Sequence, residues 1–241
     1  MSMDDERPAQ RDEIAARYRR IAPLYDLVDF PFEYLRYRRL RRELTHGLRG
    51  RVLEPGVGTG RNLTFYSEGC TVTGLDLSDA MLDRAESRAR KARADVRLLH
   101  GDVSATGFPD AAFDAVVASF VLCVLPPDRR LSALRELARV CAPEGEIRLL
   151  EYSRSAKPWR RAVMRLWEPW VQWAFGADFD VDLDHMLPAA GLAHYASRYL
   201  VSDIIRLVTV YPQHTNPSAT PCAFASQKDP ASVGADVRSE P

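Results

Sequence analysis

The sequence predicts an α/β fold in which a doubly wound sheet of seven strands finishes with an antiparallel strand. Three features carry that expectation. Arg51-Val52-Leu53-Glu54-Pro55-Gly56-Val57-Gly58-Thr59-Gly60-Arg61 reads as a short buried strand, an acid at its C-terminal end, and glycines at alternate positions. Glycines at that density let the chain turn sharply and let a ligand lie against main-chain N–H groups. Thr71-Val72-Thr73-Gly74-Leu75-Asp76 is a second strand that also ends in an acid, at roughly the offset of ribose-binding acids in nucleotide-binding sheets. Beyond it, strand-like and helical patterns alternate as far as residue 152, the rhythm of a parallel sheet.

Composition narrows the function. The 241 residues suffice for one α/β domain. Lys plus Arg and Asp plus Glu number 33 each, so no global field recruits nucleic acid. Cys70, Cys123, Cys141 and Cys222 are scattered, and no His, Cys or acidic residues stand at metal-ligand spacing. Met1 to Arg20 lacks the apolar segment of a signal peptide, and no run reaches the length of a membrane span. The expected location is the cytoplasm, with no metal.

The elements follow in order. Residues 1–49 are expected to form a helical segment: Ile14, Tyr18 and Ile21 share one stripe, and residues 30–49 form a second helix with Arg36, Arg38, Arg39, Arg41 and Arg42. A basic helix can meet an anionic membrane surface, but Glu33 and Glu43 dilute this one and favour a solvated face. The domain proper is expected over 50–228. Its first strand covers 51–55, and a helix from about Asn62 aims its positive end at the glycine turn. After the second strand, Ser78 is the N-cap of a helix reaching about Ala92. A third strand, Asp95 to His100, is closed by Gly101-Asp102-Val103. Residues 112–119 form the most apolar strand, expected to be central. A helix over 128–140 and the turn Ala142-Pro143-Glu144-Gly145 lead to the fifth strand at 145–152. From Pro158 the sheet rhythm stops. Trp159, Val163, Leu166, Trp167, Trp170, Trp173 and Phe175 make an aromatic stripe at mostly helical spacing, within a helical insertion at 157–190. The sixth strand is His194 to Leu200, the antiparallel last strand Pro221 to Gln227, and 229–241 a disordered tail.

A dinucleotide fingerprint needs glycine at position 61, where Arg61 stands. Glu54-x-Gly56-x-Gly58-x-Gly60 instead resembles motif I of the class I S-adenosylmethionine (SAM) methyltransferases, whose sheet is Rossmann-like. Arg17-Tyr18-Arg19-Arg20-Ile21-Ala22-Pro23-Leu24-Tyr25-Asp26 resembles the N-terminal signature of the ubiquinone/menaquinone-biosynthesis methyltransferases. That branch is similar to soluble phosphatidylethanolamine N-methyltransferases and small-thiol methyltransferases. The resemblance covers roughly residues 14–228. It implies S-adenosylmethionine as cofactor, with the segment through Tyr25 folding over it as a lid. Tyr25 and Glu54 would then serve the methionine end, Gly56, Gly58 and Gly60 the turn, Asp76 and Leu77 the ribose, and Asp102 and Val103 the adenine. Ser119 opens Ser119-Phe120-Val121-Leu122, where nucleic-acid amino-methyltransferases carry Asn/Asp-Pro-Pro-Tyr, so base methylation is disfavoured. Residues 142–145 resemble the family's late Leu-x-Pro-Gly-Gly motif and depart from it at Glu144. The insertion at 157–190 would border the acceptor pocket.

A methyl group on a sulfonium is already activated, so the protein must chiefly align and desolvate the reactants. A general base is needed only where the acceptor loses a proton. Candidates are Tyr25 and His214, the latter in a loop before the last expected strand; His46 and His100 read as structural. The resulting reading is a SAM-dependent methyltransferase acting on a small-molecule or lipid acceptor, a quinol, amine lipid or thiol. The alternatives are a SAM-binding regulatory protein without transferase activity and, third, an NAD-dependent oxidoreductase.

Overall fold

β-branched and other apolar runs fall into seven strands: β1 (Gly50–Pro55), β2 (Cys70–Asp76), β3 (Asp95–His100), β4 (Phe113–Ser119), β5 (Cys141–Tyr152), β6 (Tyr195–Val201) and β7 (Ile205–Val210). The structure, a computed structural model, describes residues 37–212. Tyr25, His214, the lid signature, the expected strand at 221–227 and the tail lie outside the described residues. The strands make one sheet in the order β3-β2-β1-β4-β5-β7-β6. β1 to β5 pair in parallel, and β7 runs antiparallel to both β5 and β6. The order reverses between β1 and β4, which opens a crevice at their C-terminal ends.

Alternation along the strands feeds two apolar layers. Val52, Val72, Ala115 and Val117 face a layer shared with Leu40 and Leu44 of α1 (Arg38–Thr45) and Ala85 of α2 (Asp79–Ala89). Leu53, Val116, Ile147 and Leu149 face the opposite layer, with Leu134 and Leu137 of α3 (Pro127–Val140). The residues of both layers are buried, and a fully buried Leu or Val contributes about 1.5–3 kcal/mol. Phe113 and Ala115 to Ala118 of β4 are all buried, as a central parallel strand requires. Cys70, Cys123 and Cys141 are buried free thiols.

Four departures from the expected elements have physical causes. No long helix follows the glycine turn. Only a 3-10 turn, Leu63–Phe65, separates it from β2, because Asn, Thr, Phe, Tyr and Ser are indifferent helix formers and the segment is short. The expected helix over 30–49 is described as α1, and it is not merely a solvated face: Arg41 is buried. The seventh described strand, antiparallel, is β7 at Ile205–Val210, a strand the sequence reading did not expect. It pairs back through Ser202-Asp203-Ile204, a hairpin turn without the Gly or Asn that marks such turns in sequence. Lastly, α4 (Pro158–Phe175) sends most of its described aromatic stripe to solvent. The helix α5 (Leu183–Ala189) follows it within the insertion expected at 157–190.

Candidate functional site

The ends of β1, β2, β3 and β4 surround a cleft with about 1030 Å³ of free space open to solvent. Gly56 and Gly58 line it directly after β1. Gly58 has φ +54, and a Cβ built there would meet nothing nearer than Gly56 O at 4.0 Å, so its open side faces the cleft. Gly60 sits behind. With φ +78, its Cβ would stand 3.0 Å from Ala85 Cβ, so this glycine serves the close approach of α2.

Asp76 ties the turn to β2. Its Oδ2 accepts from Gly58 N at 2.8 Å and its Oδ1 from Ser78 N at 2.9 Å. Burial raises its carboxyl above the usual range, opposed by those backbone donors. Each oxygen keeps acceptor capacity for donors in the cleft. Leu77 lines the cleft beside it, and the Leu77 carbonyl lies 3.0 Å from His100 Nε2, so that histidine is spent on structure.

Beneath the turn runs a polar chain that spacing along the sequence does not reveal. Asn62 donates Nδ2 to Glu54 Oε1 at 2.8 Å and to Ser119 Oγ at 3.0 Å, while its Oδ1 accepts from Arg41 Nη1 at 2.7 Å. Arg41, Asn62 and Ser119 all line the cleft. Glu54 is 1% exposed. Its Oε2 and the neighbouring Tyr66 hydroxyl are buried with no hydrogen bond of normal geometry. Burial pushes the Glu54 carboxyl up to about 7, with Tyr66, Asn62 and the Arg41 charge restraining the rise.

At the end of β3, Asp102 is ion-paired. Arg129 Nη2 donates to its Oδ2 at 2.5 Å, and Ser104 donates to Oδ1 from its amide at 2.9 Å and its hydroxyl at 2.7 Å. Arg129 also donates to the Ser104 hydroxyl. Burial raises the Asp102 carboxyl, but these donors outweigh it and hold the group below its ordinary value. Val103 and Arg129 line the same wall.

On the far side Phe120 lines the cleft and is backed by further aromatic rings. Phe120 follows β4 with φ +55, a conformation strained for a bulky side chain and concentrated at functional sites. Its ring lies 4.8 Å from that of Tyr152 and 5.8 Å from that of Tyr37. Phe179 stands edge-on to Tyr152 at 5.1 Å, and the Tyr37 and Tyr152 hydroxyls are 3.1 Å apart. Behind Phe120, Glu151 Oε1 accepts from Leu122 N at 2.7 Å and fixes the 3-10 turn Leu122–Val124; burial raises this carboxyl to about 7.

The structure therefore brings Gly56, Gly58, Asp76, Leu77, Asp102, Val103 and Ser119 to one cleft, with Glu54 and Gly60 just behind. Tyr25 and His214 lie outside the described residues. Arg41, Asn62, Phe120 and Arg129 were not singled out for the site by sequence. Only the basic run around Arg41 and the position of Phe120 after β4 hinted at any of them. None of the described aromatic residues of α4 lines the cleft. No group of three His, Cys, Asp or Glu among the described residues is placed to hold a metal ion.

The chain is similar to known methyltransferases. A family profile described as a methyltransferase domain matches residues 52–145. A phosphatidylethanolamine N-methyltransferase of Cereibacter sphaeroides is 37% identical over 145 residues, covering 58% of this chain and 68% of that protein. A demethylmenaquinone methyltransferase of Thermus thermophilus is 33% identical over 178 residues, covering 71% of this chain and 73% of its own length. Among solved structures, a SAM-dependent methyltransferase of Thermotoga maritima superposes with a TM-score of 0.65 at 17% identity, covering 81% of this chain and 99% of that one.

Proposed function

Because the chain belongs to the class I S-adenosylmethionine-dependent methyltransferases, we propose that it methylates an apolar lipid acceptor whose reacting end rests against Phe120. The observation that carries the reading is the aromatic group Tyr37, Phe120, Tyr152 and Phe179 adjoining the cleft. Two curated relatives named for phosphatidylethanolamine and demethylmenaquinone support it, since both names denote lipids.

The cleft suits the cofactor on its own geometry: Gly58 leaves open the space a Cβ would fill, and the Asp76 carboxylate at the cleft wall keeps acceptor capacity. In this reading Asp76 accepts from the ribose hydroxyls while it holds Gly58 N. Asp102 and Val103 take the adenine, with Arg129 keeping Asp102 ionised and in place. Arg41 takes the carboxylate of the methionine portion, and Glu54, through Asn62, balances its ammonium. When bound, the cofactor supplies a methyl group already activated by a sulfonium. Phe120 and its aromatic neighbours exclude water from the transfer, which strengthens every charge interaction inside. Tyr25 and His214 stay as candidates for taking a proton from the acceptor, with the N-terminal segment as lid.

The test is product formation. Purified protein with methyl-labelled SAM is offered detergent-dispersed phosphatidylethanolamine, a demethylmenaquinol and a water-soluble thiol, and products are read by mass spectrometry. Methylated lipid is expected. Labelling of the soluble thiol alone would overturn the lipid reading.

A further inference from the structure

α4 is amphipathic in an unusual sense. Five of the seven large apolar side chains exposed among the described residues lie on it: Trp159, Val163, Leu166, Trp167 and Trp170. Leu166 is 79% exposed and Trp159 63%. Their spacing, i, i+4, i+7, i+8 and i+11, puts them on a single stripe of the helix. A different face, through Met164 and Val171, packs inward.

The stripe is held rigidly and at a meaningful place. Asp203, in the β6–β7 turn, accepts from Ser155 Oγ at 2.6 Å, Ala156 N at 2.9 Å and Arg160 Nη1 at 2.7 Å, which pins the start of α4. At the other end Asp178 N donates to Cys123 O at 2.8 Å, and Phe179 meets Tyr152. The helix is thus strung along the sheet edge that holds the cleft and its adjoining aromatic rings. Arg160 is paired with Asp203, and over residues 157–172 Lys157, Arg161 and Arg165 stand against Glu168. The Arg160 guanidinium lies 5.1 Å over the Trp159 ring. Tryptophan rings with a polar N–H, interleaved with basic side chains, match the headgroup layer of an anionic bilayer, where apolar rings and cations are satisfied together. A packed protein interface suits this stripe less well, because cations such as Arg165 would lose their water there.

We propose that α4 seats the protein on an anionic lipid surface through this tryptophan stripe. No helix among the described residues is long and apolar enough to cross a membrane, so the contact is interfacial. The inference extends the lipid reading of the acceptor but stands on α4 alone.

All 4 tryptophans of the chain are in α4, so intrinsic tryptophan emission reports on this helix. The full chain is mixed with vesicles of phosphatidylcholine containing phosphatidylglycerol, or of phosphatidylcholine alone. Co-sedimentation and a blue shift are expected with the anionic vesicles, both weakened by salt. The double variant Leu166→Glu/Trp167→Glu should lower the bound fraction about tenfold or more. Arg165→Glu should weaken binding to anionic vesicles only. Unchanged S-adenosylhomocysteine binding verifies that both variants fold. Emission already blue and shielded from acrylamide without vesicles would overturn the proposal, since the chain itself would then cover the stripe. A dimer that the double variant dissociates would overturn it too, assigning the stripe to a second copy. Vesicle binding without any lipid methylation would sink the acceptor reading and leave the docking face standing.

Discussion

At the scale of single residues, Asp76 and Glu54 occupy equivalent strand ends yet do different work. Asp76 already organises the turn through Gly58 N, so losing it removes both a ligand acceptor and a brace. Asp76→Ala should weaken SAM binding by about 2–4 kcal/mol, since charge-assisted bonds in a desolvated site are lost; isothermal titration measures this, and near-wild-type affinity would refute the ribose assignment. Glu54 is a buried acid whose carboxyl titrates at about 7 in the fold against 4.5 in the open chain. The raised value means that its contribution is full below pH 4.5 and is lost as pH rises to 7, on the order of 3 kcal/mol. Glu54→Gln should flatten that decline between pH 5 and 8, leaving the part due to Glu151, which shifts the same way. Cationic SAM favours the ionised acid, so wild type should release protons on binding near pH 7 and the variant should not. Titrations in buffers of different ionisation enthalpy would show this. Both acids were legible because each stands at the end of an apolar strand, Glu54 just before the glycine turn and Asp76 at the offset of ribose-binding acids. Asn62 and Arg41 were not: their hydrogen bond spans 21 positions and exists only once α1 lies over the turn. In the sequence Arg41 is one arginine among several.

At the scale of elements, alternate glycines read alike in sequence and differ in the fold. Gly58 opens on the cleft, whereas Gly60 is hemmed in by Leu63 and α2. Gly58→Val should abolish SAM binding and leave a folded chain, since its Cβ fills ligand space, although φ +54 adds some strain. Gly60→Val should instead cost stability, about 1–3 kcal/mol or more, because its Cβ meets Ala85 Cα at 3.1 Å and the backbone there is left-handed. Urea unfolding and SAM titration on both variants separate the two roles; equal loss of binding without loss of stability in Gly60→Val would contradict the distinction. β1 and β4 were legible because two-sided burial leaves near-continuous apolar runs. β7 was not, although Ile205-Arg206-Leu207-Val208-Thr209-Val210 has strand composition, because its turn places Ser202 rather than Gly or Asn at φ +49. The helix expected from Asn62 failed for the converse reason. Nine residues, 61–69, join Gly60 to β2, and Asn62 is occupied by the Glu54 network instead of opening a helix.

At the scale of the whole molecule, the sheet divides the labour. β3, β2, β1 and β4 present their C-terminal ends to the cleft, while β5, β7 and β6 extend the other side of the switch point and carry α4. A ligand in the cleft touches loops that are distant in sequence but meet nowhere else, so its binding energy must appear as their joint restraint. Opening any of them then requires releasing the ligand, which adds about 2.7 kcal/mol at a hundredfold excess over Kd. S-adenosylhomocysteine should therefore slow amide hydrogen exchange over 56–62, 77–81, 102–104 and 120–122, and in α1 through Arg41. The β6–β7 hairpin reaches the cleft only through β5, and its amides should respond only where unfolding of the whole domain is the exchange route. Mass spectrometry of peptides from both halves tests this. Protection of 195–210 equal to that of the glycine turn, at times short of global opening, would place the ligand away from the switch point and undo the assignment of Asp76 and Asp102 together.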